Sequence, residues 1–166
     1  MNSASKSVKI AIGLGSNLGD RKAYITEAVQ RLSEKGLHEL KLSRLYETEA
    51  FDCEPDAPAF YNAVAVGKST LTAEELLAAC LETECEMGRL ANRGYHENRI
   101  IDIDLLLVDE QVKNDASLSL PHAQLTERDF VLQPLAELVP DWQIPPHNKT
   151  VKDLLSSLPD QNGKPI

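Results

Sequence analysis

Cysteine is scarce in this chain: Cys53, Cys80 and Cys85 form an odd set without C-x-x-C spacing. Three such thiols close no disulfide framework and match no zinc site, so they read as buried and inert. Positive charge is also in short supply, with 17 Lys and Arg against 26 Asp and Glu and a formal net charge of −9. General duplex binding requires many cationic contacts to phosphates, so nucleic acid is not an expected partner. A polyanionic ligand would need a local cationic patch instead. No stretch approaches the ~18 apolar residues of a membrane span, and residues 1–8 lack the apolar core of a signal peptide. The expectation is a cytoplasmic protein with no membrane partner. What is present is ordinary globular material: 42% hydrophobic and 26% charged residues over 166 positions. That length suits one domain over 1–166, with a core from 8 to 158 and frayed termini.

Periodicity orders the chain. Residues 8–14 read as a buried strand ending at Gly15-Ser16-Asn17. Asp20 then starts a helix with Ile25, Ala28, Val29 and Leu32 on one face, and Gly36 stops it. Residues 37–48 read as extended, with Leu40, Leu42 and Tyr46 sharing a face. After a proline-bearing loop (49–59), residues 60–69 form a strand apolar enough on both sides to be central. Thr72 and Glu75 make a capping box, flanked by Leu71 and Leu76 at staple positions. The helix that follows presents Leu77, Cys80, Leu81 and Glu84, and Gly88 ends it. Residues 99–108 are the last main strand. A short helix near 130–138, an irregular stretch 140–150, a closing helix near 151–158 and a frayed tail 159–166 complete the chain. The order βαββαβ predicts an α+β, ferredoxin-like sandwich: a mainly antiparallel sheet, helices on one face, and extra C-terminal helices.

The last strand carries the sharpest chemical signal. Alternation places Ile101, Ile103, Leu105 and Leu107 in the core and Asp102 and Asp104 together on the other face, roughly 7 Å apart at ordinary strand rise. Paired carboxylates on a rigid strand suit Mg²⁺, which takes one or two such ligands and completes its shell with water and phosphate oxygens. The plainer alternative is a solvated polar face. Three of the seven arginines, Arg89, Arg93 and Arg99, fall just before this pair. Arginines beside a metal site are what phosphoryl transfer requires, although scattered surface ion pairs produce the same pattern. His122 after Pro121, followed by Arg128 and Phe130, adds a donor, a cation and an aromatic face. Residues 13–19 (GLGSNLG) lack the Lys of a Walker loop and read as a tight turn that lets backbone approach a ligand.

Taken in order, GLGSNLGDR (13–21), SRLYET (43–48), FYNAV (60–64), Glu84 to Arg89, RIIDIDLLL (99–107) and LPHAQLTERDFVLQPL (120–135) resemble the 6-hydroxymethyl-7,8-dihydropterin pyrophosphokinase family of folate biosynthesis. The resemblance covers roughly residues 8–141. It implies transfer of pyrophosphate from ATP to the pterin hydroxymethyl group with release of AMP. It further implies two Mg²⁺ ions on Asp102 and Asp104, and catalytic contacts from Arg89 and Arg99. Glu84, Arg89, Arg93, Arg99, His122 and Arg128 would serve ATP. Thr48, Phe60, Asn62 and Phe130 would line the pterin pocket. The implied partners are these small molecules, with the protein itself a monomer or weak homodimer.

The chain departs from the family where Arg-Trp-Gly-Pro-Arg is usual: it reads Tyr95-His96-Glu97-Asn98-Arg99, leaving the Trp contacts to His96 or Tyr95. Ala91 replaces an Arg, with Arg93 nearby, and Ala123 follows Pro-His where many members carry a larger side chain. Residues 49–59 and 89–98 are lid candidates. The rival expectation is a non-catalytic nucleotide- or metal-sensing module on the same fold.

Overall fold

The computed structural model describes residues 6–17, 19–48, 59–88, 100–122, 125, 129–146, 148–158 and 164–165. The chain opens with β1 (Val8–Ser16) and α1 (Arg21–Ser33), then β2 (His38–Leu42), β3 (Tyr46–Thr48) and β4 (Phe60–Ser69). Helix α2 (Ala73–Glu86) leads to β5 (Asp102–Val108), and β6 (Lys113–Asn114) and β7 (Ser119–Leu120) form a small ribbon. Helix α3 (Asp129–Leu138), a second ribbon of β8 (Gln143–Ile144) and β9 (Lys149–Thr150), α4 (Val151–Ser156) and β10 (Lys164–Pro165) follow.

The main sheet runs β10-β3-β4-β1-β5, with β2 also on β4, and every pairing is antiparallel. This is the ferredoxin-like α+β arrangement. Local chemistry sets its helices. Asp20 caps α1 by accepting from the Ala23 N–H at 3.1 Å, and Gly36 takes the left-handed φ of 105° that lets the chain turn back. Thr72 and Glu75 close the full capping box of α2, and Gly88 ends it at φ 100°.

One face of the sheet packs Ile10, Ile12, Leu14, Ile103 and Leu105 against α1 and α2. The other packs Ala11, Val64, Val66, Leu106 and Leu107 against α3 and α4, so helices cover both faces, not one. Four local expectations are corrected. Leu107 belongs to the second face, because a bulge between Ala11 and Ile12 in the β1–β5 register gives β5 one extra residue and reverses its alternation. Tyr46 opposes Asn62 while Leu42 opposes Ala65, so the chain slips one residue between β2 and β3 and Tyr46 parts from Leu40 and Leu42. On α2 the buried stripe is Ala73, Leu76, Ala79, Cys80, Thr83 and Glu84, leaving Leu81 exposed. Residues 164–165, read as frayed, pair with β3.

Cys80 is buried as expected, and its thiol is pushed up to about 12 by burial, with the Glu84 and Asp104 carboxylates adding to the effect. Cys85 is exposed instead, and Cys53 lies outside the described residues. No described helix is long and apolar enough to cross a membrane.

Strand β2 crosses β4 with a kink at Glu39, whose φ is 54°, directly over Gly67. A Cβ at Gly67 would lie 2.5 Å from the His38 carbonyl oxygen and 3.3 Å from the Leu40 Cα, both backbone atoms. Gly67→Ala should therefore lower unfolding free energy by about 2 kcal/mol, the cost of forcing a methyl into a filled site. Urea denaturation measures it; an unchanged midpoint would mean that β2 moves aside without cost.

Candidate active site

Alternation along the strands assembles the site. Asn62 opposes Gly15 and Gly15 opposes Asp102, while Val64 opposes Gly13 and Gly13 opposes Asp104. Directly opposed residues share a face, so Asn62, Gly15, Asp102 and Asp104 all point away from α1 and α2. Phe60 lies two residues before Asn62 on that face and opposes Thr48 on β3. The Asn62 Nδ2 donates to Thr48 Oγ1 at 2.7 Å, which leaves Asn62 Oδ1 toward Gly15, 3.1 Å from where a Cβ would stand. The result is a trough with backbone for its floor at Gly15, amide, hydroxyl and aromatic groups on one bank, and two carboxylates on the other. Leu106 closes one end, its methyl carbons 3.4 Å from the Cβ position of Gly13. The glycines at 13 and 15, read from sequence as a tight turn, are thus within β1, and the turn itself is marked by Gly19 at φ 61°.

The outer edge of β5 is held at two points. Glu84, 6% exposed at the end of α2, accepts the Ile103 N–H at 2.7 Å, between the two aspartates. The His122 N–H donates to the Leu106 carbonyl oxygen at 2.9 Å, just past the cis Leu120–Pro121 peptide. That bond brings the His122 ring to the carboxylate bank, with Nε2 3.9 Å from Asp104 Oδ1, an ion pair when the imidazole is protonated. The opposite bank is tied to α3. Glu137 accepts from the Arg44 N–H at 3.0 Å, from Arg44 Nε at 3.3 Å and from the Tyr46 hydroxyl at 3.1 Å. Burial pushes the Tyr46 phenol above its ordinary pKa, which keeps that proton in place.

Of the residues expected to act together, Thr48, Phe60, Asn62, Asp102, Asp104 and His122 are brought onto or beside one surface. Glu84 is behind it, engaged with β5 backbone. Arg89, Arg93, Arg99 and Arg128, together with Tyr95, His96, Ala91 and Ala123, lie outside the described residues, as does most of each lid candidate. Phe130 falls in α3, two turns before Glu137, and its side chain is outside the description. Gly15 was not singled out as a site residue in sequence. The signal was there: two glycines two apart in a strand whose intervening residues are apolar leave one face bare.

Among the described residues no three His, Cys, Asp or Glu side chains converge as a metal cage. The donor set among them is instead two partly exposed carboxylates. That suits a hard cation carried in by a phosphate ligand and not one caged by protein alone.

Comparison with known proteins bears on the family and the fold. A family model described as 7,8-dihydro-6-hydroxymethylpterin-pyrophosphokinase matches residues 11–140. A 2-amino-4-hydroxy-6-hydroxymethyldihydropteridine pyrophosphokinase of Porphyromonas gingivalis is 40% identical over 139 residues, covering 82% of this chain and 93% of that protein. The protein of the same name from Aquifex aeolicus is 37% identical over 157 residues, covering 95% and 94%. The Folic acid synthesis protein fol1 of Pneumocystis carinii is 36% identical over 159 residues, and the chain spans only 21% of its length. Among solved structures, the Plasmodium falciparum HPPK-DHPS superposes with a TM-score of 0.73 at 17% identity over 98% of this chain and 49% of that one, a likeness of fold. With the family model matching most of its length and relatives of its own size aligning nearly end to end, the chain belongs to the 7,8-dihydro-6-hydroxymethylpterin-pyrophosphokinase family.

Proposed function

We propose that this chain transfers pyrophosphate from ATP to the hydroxymethyl group of 6-hydroxymethyl-7,8-dihydropterin, releasing AMP, as a step of folate biosynthesis. The observation that carries the reading is the trough. A flat ring with a donor–acceptor edge fits over Gly15 beside Asn62, Thr48 and Phe60, and a triphosphate fits at Asp102 and Asp104. In the transfer, the hydroxymethyl oxygen bonds to the β-phosphorus while the bond from that phosphorus to the oxygen of the departing AMP breaks. No side chain needs to become covalently attached.

Asp102 and Asp104 would hold two Mg²⁺ ions, which would supply neutralisation of the phosphate charge. Each protein group has a part in orientation. Asn62 reads the ring edge, and its bond to Thr48 fixes which way its amide points. Glu84 holds Ile103, and so the spacing of the two aspartates, from behind. The His122 ring, 3.9 Å from Asp104, would donate to a phosphate held at the carboxylates. Arg89, Arg93, Arg99 and Arg128 are proposed to neutralise the triphosphate, with Arg89 and Arg99 at the transferred group, and Phe130 to close the ring from the α3 side. Catalysis of this type is positioning and charge neutralisation, and a buried general base is not required.

Incubation with ATP, Mg²⁺ and the hydroxymethyldihydropterin tests the reading, since only the enzyme releases AMP. A folded preparation that binds ATP and releases none would favour a nucleotide-sensing module. Phe130→Ala should weaken pterin binding about tenfold and ATP binding far less, the worth of one aromatic stacking partner plus its burial. Equal losses for the two ligands would assign Phe130 to the core.

A further inference from the structure

The ladder between β1 and β4 ends at the pair Ser16 and Tyr61. Phe60, the next residue toward the start of β4, therefore has a strand partner on the β3 side only, where it opposes Thr48. Arg21, the first residue of α1, takes over where the ladder stops. Its Nη1 donates to the Ala59 carbonyl oxygen at 2.6 Å, and its guanidinium carbon stands 3.9 Å from the centroid of the Tyr61 ring. The two contacts straddle Phe60. Tyr61 leaves the sheet on the face opposite to Phe60 and Asn62, so Arg21 grips β4 from behind the trough. An in-plane N–H and a cationic face delivered by one rigid group is what a guanidinium offers and an ammonium does not.

We propose that Arg21 is a positioning residue for the pterin bank of the site. By clamping Ala59 and Tyr61 it fixes Phe60 and Asn62 in the orientation a flat ring requires, without touching the ring. The proposal rests on the pterin reading above for its ligand, but its mechanical part stands on the clamp alone.

The test uses Arg21→Met, Arg21→Lys, Tyr61→Leu and the double variant of the first and third. Arg21→Met should raise the KM for the pterin about tenfold and leave kcat and the KM for ATP within about twofold, the pattern of lost binding in one subsite. Arg21→Lys should recover part of the loss, Tyr61→Leu should reproduce it, and the double variant should be no worse than Arg21→Met, as for two halves of one contact. Amide exchange at Phe60 and Asn62, read without substrate, should quicken in Arg21→Met. If Arg21 merely supports the fold, the melting temperature and active fraction fall while both KM values stay put, and the proposal is overturned. A parallel rise in both KM values overturns it too. Wild-type protein that releases no AMP removes the pyrophosphokinase reading, whereas unchanged exchange in Arg21→Met removes the clamp whatever the wild type does.

Discussion

Asp102→Asn and Asp104→Asn should each lose at least ~100-fold in turnover, the scale set by about 3 kcal/mol of transition-state charge stabilisation. Asn keeps the volume and the strand but removes one anionic oxygen from the carboxylate bank. Folding stability should hardly move. Asp104 keeps 40% of its side chain exposed and its ion pair with His122 spans 3.9 Å. Such partly solvated pairs contribute at most about 1 kcal/mol. Relief of repulsion between two carboxylates on one face offsets part of that. Steady-state kinetics at saturating substrates and urea denaturation of the ligand-free protein measure the two quantities separately. A loss of several kcal/mol in stability with turnover intact would make the pair a structural ion-pair site and end the metal assignment.

Gly15→Val should abolish the pterin site while the protein stays folded. Gly15 lies in regular strand between Asn62 and Asp102, so a β-branched residue suits its backbone. The side chain has nowhere to go except the trough. Even one methyl, in Gly15→Ala, would meet Asn62 Oδ1 at 3.1 Å and push that amide by a few tenths of an ångström. A few-fold rise in pterin KM is expected for Ala, and a rise of at least ~30-fold for Val, from 2 kcal/mol or more of overlap with the ligand. Melting temperatures should stay near wild type, since replacing a strand glycine removes chain entropy from the unfolded state. Near-normal pterin kinetics in Gly15→Val would mean that nothing lies over Gly15.

How legible all this was in sequence follows from the range of the forces involved. The α1 and α2 boundaries were readable because Asp20, Thr72, Glu75, Gly36 and Gly88 act within a turn of their own position. Strand β4 was readable because its central run, residues 63–66, is apolar and buried on both faces. Pairing of Asp102 and Asp104 needed only the two-residue period. The face of Leu107 was not legible, because the bulge at Leu106 is decided by how β5 meets β1 and not by β5 itself. Tyr46 failed for the same reason, a one-residue slip taken up between two short strands. The second-face helices, the bond from Ile103 to Glu84 and the grip of Arg21 on Ala59 each join residues 19 or more apart. Spacing rules of three, four or two residues contain no information about such contacts. Asp102, Asp104 and the arginines before them were named from the residues themselves, and Thr48, Phe60, Asn62 and Glu84 through likeness of motifs; register is what brings five of them onto one surface, with His122 added by its bond to Leu106.

The bare floor at Gly15 has a consequence for how this surface tolerates change over generations. Most ligand sites are walled by side chains, and a population escapes a blocking compound by altering one of them. Here a flat molecule resting over β1 would meet peptide groups, which no codon change can delete. A branched residue at that position would shut out such a molecule, but would shut out the natural occupant as well. A compound confined to the outline of that floor, and reaching no further toward the side chains around it, would leave selection few variants to choose from.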